Sequence, residues 1–209
     1  GRIAGLAVVF FVILTGRTRL PLRFRHLRPR VEWVKLFASL AWPVSTQNVL
    51  EGGVNLVLLR MLSAFGPFVL AAWGIGNRVV FVARQPGFVL QVAVRTMVGQ
   101  NLGANLPERA KLSIRTSLIA AIVLSVITTT IVFVWAPAVV AFFGMKGEAA
   151  LVGTLCLRIL IWGVVFETVF RVLTGAFQGA ANTKPPMIAD FAGRGGILLP
   201  GAYLISAVF

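Results

Sequence analysis

The stretch TSLIAAIVLSVITTTIVFVWAPAVVAFFGM, Thr116 to Met145, contains no Lys, Arg, Asp or Glu. The hydrocarbon core of a bilayer takes roughly 20 apolar residues as a helix, so this block alone is long enough to span it. Similar runs lie on both sides. Residues 36–62 carry only Glu51 and Arg60 as charges. The hydrophobic segments are 3–14, 36–62, 68–98, 111–142, 149–180 and 186–209. A single such run fits a buried helix in a soluble protein, but five in succession argue against that reading. The composition agrees, with 58% hydrophobic and only 12% charged residues and a mean hydropathy of +0.90. That is too little charge to cover the outside of a soluble domain of this length. The expected fold is all-α, a polytopic transmembrane helix bundle.

Residues 1–15 are expected to be the end of a truncated transmembrane helix, 16–35 a basic cytoplasmic loop, and 36–209 a bundle incomplete at its C-terminal end. The run 3–14 is too short to span, and no small-residue cleavage pattern follows it as in a signal peptide. Cys156 is the only cysteine and lies inside an apolar run, which leaves no disulfide framework or metal cluster. His26 is the only histidine, so HExxH metalloprotease chemistry and a Ser-His arrangement are excluded. No GxxxxGK[ST] phosphate loop occurs either, and no cofactor is expected.

A net charge of +14 would suggest nucleic acid in a soluble protein, but its distribution argues for membrane lipid instead. Arg17, Arg19, Arg23, Arg25, Arg28, Arg30 and Lys35 crowd the long polar loop, with no aromatic-interleaved RNA motif beside them. The positive-inside rule places this loop in the cytoplasm, where its cations also suit anionic headgroups. Alternating sides from there puts Arg109, Lys111 and Lys184 on the cytoplasmic side. The two opposite loops then hold Lys146 as their only cation.

A charge at the centre of a membrane helix costs about 2.5–3.5 kcal/mol on insertion scales, so it should face an interior or a cavity. On 36–62, Gln47, Asn48, Glu51 and Asn55 fall at helical spacing and make one polar stripe. Glu51 is near mid-span, where it either pairs with an arginine on another helix or takes part in function. Glu167 is near mid-span of 149–180, and Arg171 one turn on is its natural i, i+4 partner. The segment 68–98 holds Asn77, Arg78, Arg84, Gln85, Gln91 and Arg95. These are too many for a lipid-facing helix, so part of it should line a hydrated interior. Arg84 and Arg95 are expected to snorkel toward the interface, and Arg158 to be interfacial. Pro43, Pro86, Pro137 and Pro200 predict kinks. Gly175 and Gly179 form a GxxxG, a pattern that glycine-rich membrane chains also carry by chance. Two mid-membrane carboxylates suit reversible uptake of Na⁺ or H⁺, since a cation relieves the cost of their charge. The nearby amide oxygens suit a hard cation by the same logic as in Ca²⁺ and Mg²⁺ sites.

The stretch Val98-Gly-Gln-Asn-Leu-Gly-Ala-Asn-Leu-Pro-Glu-Arg-Ala110 resembles the VGQNLGAGDPERA signature of multidrug and toxic compound extrusion (MATE) transporters. The stretch Gly175-Ala-Phe-Gln-Gly-Ala-Ala-Asn-Thr-Lys-Pro-Pro-Met187 is similar to that family's later G-x-x-Q-G-x-G-D-T-K-x-P-M motif, with Ala181 and Asn182 in place of Gly-Asp. The resemblance covers essentially the whole chain. It implies the C-terminal half of a NorM-like transporter, with segments equivalent to the end of helix six and helices seven to eleven of twelve. The N-terminal lobe of the same parent chain would be the missing partner. Pro43 and Glu51 match a proline and a cation-site glutamate eight residues apart. Glu167, eight before Gly175, matches the branch's second acid, although Gly163 replaces a tyrosine one turn earlier.

The implied function is not enzymatic. It is export of small organic compounds, often cationic, in exchange for Na⁺ or H⁺, across a bacterial inner membrane. Glu51 and Glu167 would bind the coupling ion, with Na⁺ as the metal if one is used. Gln47, Asn48, Asn55, Asn77, Arg78 and Arg171 would support the cavity, and Phe88 and Phe170 would touch the drug. Two rival readings remain. One is a flippase for lipid-linked oligosaccharide, gripping pyrophosphate with Arg78, Arg84 and Arg171. The other is a structural half-bundle that transports nothing.

Overall fold

A computed structural model describes residues 2–14 and 30–208. Among the described residues there are nine α-helices and no strand. They are α1 (Arg2–Leu14), α2 (Val31–Ser63), α3 (Pro67–Ala83), α4 (Gln85–Gly103), α5 (Pro107–Val134), α6 (Ala136–Phe142), α7 (Glu148–Gly179), α8 (Lys184–Asp190) and α9 (Leu199–Val208). A π-helical segment, Phe191–Leu198, joins α8 to α9. The chain divides into two units, one ending at Ala41 and the other running Trp42–Phe209. The second unit holds the core and the polar cavity. Of the expected cytoplasmic loop, residues 16–29 lie outside the described residues. Val31–Lys35, expected in that loop, is already helical.

Two helices, Pro107–Val134 and Glu148–Gly179, are long and apolar enough to cross a membrane by length and composition. The segments 68–98 and 111–142, expected as single helices, are each interrupted, at Arg84 and at Trp135. The reason is proline. Pro86 and Pro137 sit in the first turn after each interruption and have no N–H to give the carbonyl one turn back. Around Arg84 the path stays helical, with Arg84 N–H donating to Val80 O at 3.0 Å and Phe88 N–H to Arg84 O at 3.2 Å. At the second kink the lost donor is replaced. The Arg158 Nε–H donates to Phe133 O, four residues before Pro137, at 3.3 Å. The guanidinium also lies 5.2 Å from the Phe133 ring centroid. Arg158, expected at the interface, thus braces a proline kink.

The bundle is apolar outside and partly polar inside. The buried face of α5 reads Ala110, Ser113, Ser117, Ala121, Ser125, Thr129 at three- and four-residue spacing. Its exposed face carries Ile119, Ile122, Val126 and Ile131. In water this would be inverted. In lipid the outer side chains meet tails as apolar as themselves, and small inner residues let helices approach closely. Ser113 Oγ and Ser125 Oγ donate on their own helix, to Arg109 O at 2.8 Å and Ile122 O at 3.1 Å, and Thr129 Oγ1 reaches Ile161 O of α7 at 3.4 Å.

Helix α7 is central. Its first half packs through Leu157, Ile161 and Val164 on Val80 and Ala83 of α3 and Ala136 and Val140 of α6. Its second half packs through Val172 and Ala176 on Val94 and Val98 of α4 and Ala110 and Ala121 of α5. The GxxxG is at this second contact. A Cβ on Gly175 would run into the Gln91 carbonyl oxygen, and one on Gly179 would stand 2.5 Å from Arg95 O. The C-terminal ends of α4 and α7 therefore lie together, and both motif stretches turn at the same end of the bundle.

The two turns share one geometry. Asn105 and Ala181 have φ of 57° and 56°. Each is followed by a residue whose N–H closes back onto the helix, Leu106 to Asn101 O at 2.8 Å and Asn182 to Phe177 O at 2.9 Å. This is the left-handed helix stop that favours glycine. Asparagine adopts it readily; alanine does so with strain. The departure at Ala181 from the family pattern thus falls on the residue where that pattern's glycine has a conformational reason.

Candidate substrate and ion cavity

The polar residues of α2, α4 and α7 and those around the π-helical segment converge on two adjoining cavities of about 210 and 460 Å³. Glu51, Phe88 and Arg171 line both. Gln47 and Asn48 line the smaller, with Glu167 and Phe170. Asn55 and Asn77 line the larger. The α2 stripe read from its spacing thus faces one space, together with both candidate acids and both candidate aromatics. Arg78 is the exception. It is exposed and lines neither cavity, because the face of α3 that turns inward is the one bearing Asn77 and Phe81. Asn77 also uses its Nδ2 at home, donating to Trp73 O at 3.2 Å.

The two acids have different surroundings. Glu167 is clamped. Arg171 donates Nη2 and Nε to its Oε1 at 2.7 and 3.0 Å, as the i, i+4 spacing predicts. Arg84 Nη1 lies 3.1 Å from each of its two oxygens. The expectation that Arg84 snorkels is therefore corrected. The kink at Pro86 leaves it at a helix junction directed inward, where a carboxylate compensates it better than a distant interface. Glu51 is held loosely, with Arg194 Nη1 3.6 Å from its Oε1. Arg194 is taken up more tightly by Asp190, one turn back, at 2.7 Å.

Asp190 and Arg194 were not singled out in the sequence. The signal was available, since an acid and an arginine at i, i+4 in an apolar segment repeat the pattern of Glu167 and Arg171. Their residues stand on either side of the start of the π-helical segment, a backbone form that is rare and concentrated at functional sites. Gln91 and Arg95 of α4 and Thr174 and Gln178 of α7 complete the smaller cavity. Among the described residues no group of three or more His, Cys, Asp or Glu could hold a metal ion. A Na⁺ ion would need Glu51 and neighbouring amide oxygens, with Glu167 first released from its arginines.

With this geometry in place, the MatE family model matches residues 43–204, the part of the chain that contains the cavities and both motifs. The chain belongs to the MatE family. Its MatE relatives include a probable multidrug resistance protein, YoeA, of Bacillus subtilis, 22% identical over 95% of this chain and 44% of that protein. Another is a probable multidrug resistance protein NorM of Thermotoga maritima, 24% identical over 100% of this chain and 45% of that protein. The chain thus spans about half the length of the curated relatives it matches. A MOP superfamily transporter from Pyrococcus furiosus, described as having a binding pocket of reverse polarity that suggests a different function, superposes with a TM-score of 0.70. It is 25% identical and covers 77% of this chain and 36% of that one. The resemblance read from the two motifs is thereby established as family membership. The MatE homologues are integral membrane proteins, and the apolar exterior of this bundle accords with that.

Proposed function

We propose that the full-length protein is a secondary-active, multidrug-type exporter of organic compounds, driven by inward Na⁺ or H⁺ across a bacterial inner membrane. The observation that carries this reading is that Glu51 and Glu167, on different helices, open onto one cavity inside a bundle whose outer surface is apolar. The half of the relatives' length not spanned by this chain would form the opposite wall, and rocking of two lobes would expose the cavity to one side at a time. Coupling requires that the ion and the solute favour different states. Glu51 suits the ion role best. Its single 3.6 Å contact with Arg194 leaves most of its lone pairs free for a proton or cation. Glu167, saturated by two guanidiniums, acts as the fixed counter-charge that positions Arg84 and Arg171.

The test is Glu51→Gln in the full-length protein, reconstituted in proteoliposomes with an imposed Na⁺ or proton gradient. Solute binding should persist while gradient-driven flux is lost. Flux at the unmodified rate would remove Glu51 from coupling. The flippase reading is weaker on the same geometry, because Arg84 and Arg171 are both engaged by Glu167 and Arg78 lies away from the cavities.

A further inference from the structure

Three carboxylates, Glu51, Glu167 and Asp190, face four guanidiniums, Arg84, Arg95, Arg171 and Arg194, across the two cavities. Every one of these acids is engaged by an arginine. Arg95 has no acidic partner among the described residues. An organic cation entering this space would find every carboxylate already beside a guanidinium, Glu51 only loosely, and one uncompensated positive charge.

The surroundings of Arg95 say what it could take. Gln91 precedes it by one turn on α4, and Thr174 and Gln178 are one turn apart on α7. Gly175 and Gly179 let the two helices touch at the backbone of Gln91 and Arg95, and the four side chains line the smaller cavity together. Thr174 is only 6% exposed, and its Oγ1 has no hydrogen-bond partner. Nor have Gln91 Oε1 and Gln178 Oε1. A buried hydroxyl or amide without a partner costs free energy. Turning either amide about its last bond offers an NH₂ donor instead of an oxygen. A guanidinium, two amides and a hydroxyl, all free to donate, form a donor set for an oxyanion.

We propose that Arg95, Gln91, Thr174 and Gln178 form an oxyanion subsite, and that this transporter takes organic compounds bearing a carboxylate or phosphate. The proposal rests on the transport reading for its purpose but not for its binding chemistry. A soluble organic anion and the phosphate of a lipid headgroup would both satisfy it.

The probes are carboxyfluorescein and ethidium, with binding read by fluorescence anisotropy on the full-length protein. Carboxyfluorescein should bind, inorganic phosphate should compete, and Arg95→Gln should weaken binding by about tenfold or more. Arg95→Lys should fall between, because it keeps the charge and loses the planar fork. Thr174→Val keeps the shape of a buried site and should weaken carboxyfluorescein a few-fold if the hydroxyl donates. Ethidium binding should be unchanged or tighter in Arg95→Gln. Vesicles of phosphatidylcholine with and without phosphatidylglycerol separate the two sources. Displacement of the dye by phosphatidylglycerol assigns the subsite to lipid phosphate; its persistence assigns it to a soluble anion. Ethidium binding without carboxyfluorescein binding would overturn the proposal, as would carboxyfluorescein binding that ignores both Arg95→Gln and Thr174→Val. Flux is read separately. Arg95-dependent dye binding with no flux under any gradient would leave the subsite standing and remove the transport reading.

Discussion

Arg84 and Glu167 meet across 83 residues of chain, with Nη1 of the arginine 3.1 Å from each carboxylate oxygen. Arg171 completes the clamp from the other side. Removing one partner of a buried ion pair costs about 3–5 kcal/mol, whereas replacing all partners by apolar groups is often neutral. These side chains are 21–24% exposed, so the cost here should be toward the lower end. Glu167→Gln alone should therefore lower the thermal unfolding temperature in detergent more than Glu167→Gln with Arg84→Met and Arg171→Met together. A triple variant no more stable than the single one would show that the clamp is not held by charge balance.

The brace at the second kink predicts a coupled pair of substitutions. Arg158→Leu should destabilise by about 1–2 kcal/mol, since Phe133 O loses its charged donor. In a Pro137→Ala background the new N–H can serve the same carbonyl, and the effect of Arg158→Leu should shrink. The check is a double-mutant cycle on unfolding in detergent. Equal effects in both backgrounds would separate Arg158 from the proline.

Close packing of α4 on α7 predicts that Gly175→Ala and Gly179→Ala each destabilise by about 1–3 kcal/mol or more. The obstacles are backbone carbonyls of Gln91 and Arg95, which cannot rotate away. Gly163→Ala on the same helix meets nothing within 4 Å and should be tolerated. Comparable loss at Gly163, measured as yield of monodisperse protein, would show that the effect does not come from the α4–α7 contact, since alanine in place of glycine favours the helix itself.

At the turn after α7, Ala181→Gly should stabilise by about 0.5–1 kcal/mol, because glycine takes φ of 56° without a Cβ clash. Asn105→Gly should change little, asparagine being tolerant of that region. Both are read as shifts in unfolding temperature. Greater gain at Asn105 than at Ala181 would contradict the geometry.

Sequence alone determined the helical membrane character of this chain, because that follows from run length and absence of charge, which are local and additive. Spacing on one helix also determined the α2 stripe and the pairing of Glu167 with Arg171, since the 3.6-residue repeat fixes which side chains share a face. The two motifs were enough to place the family.

Only the tertiary structure decided who meets whom between helices. It brought Arg84 to Glu167, set Arg194 between Asp190 and Glu51, turned Arg78 outward and gave Arg158 a carbonyl to serve. None of these is a property of one helix. Each depends on how proline kinks redirect a segment and on where glycines let backbones touch, and a polar group in lipid takes whichever partner that packing delivers.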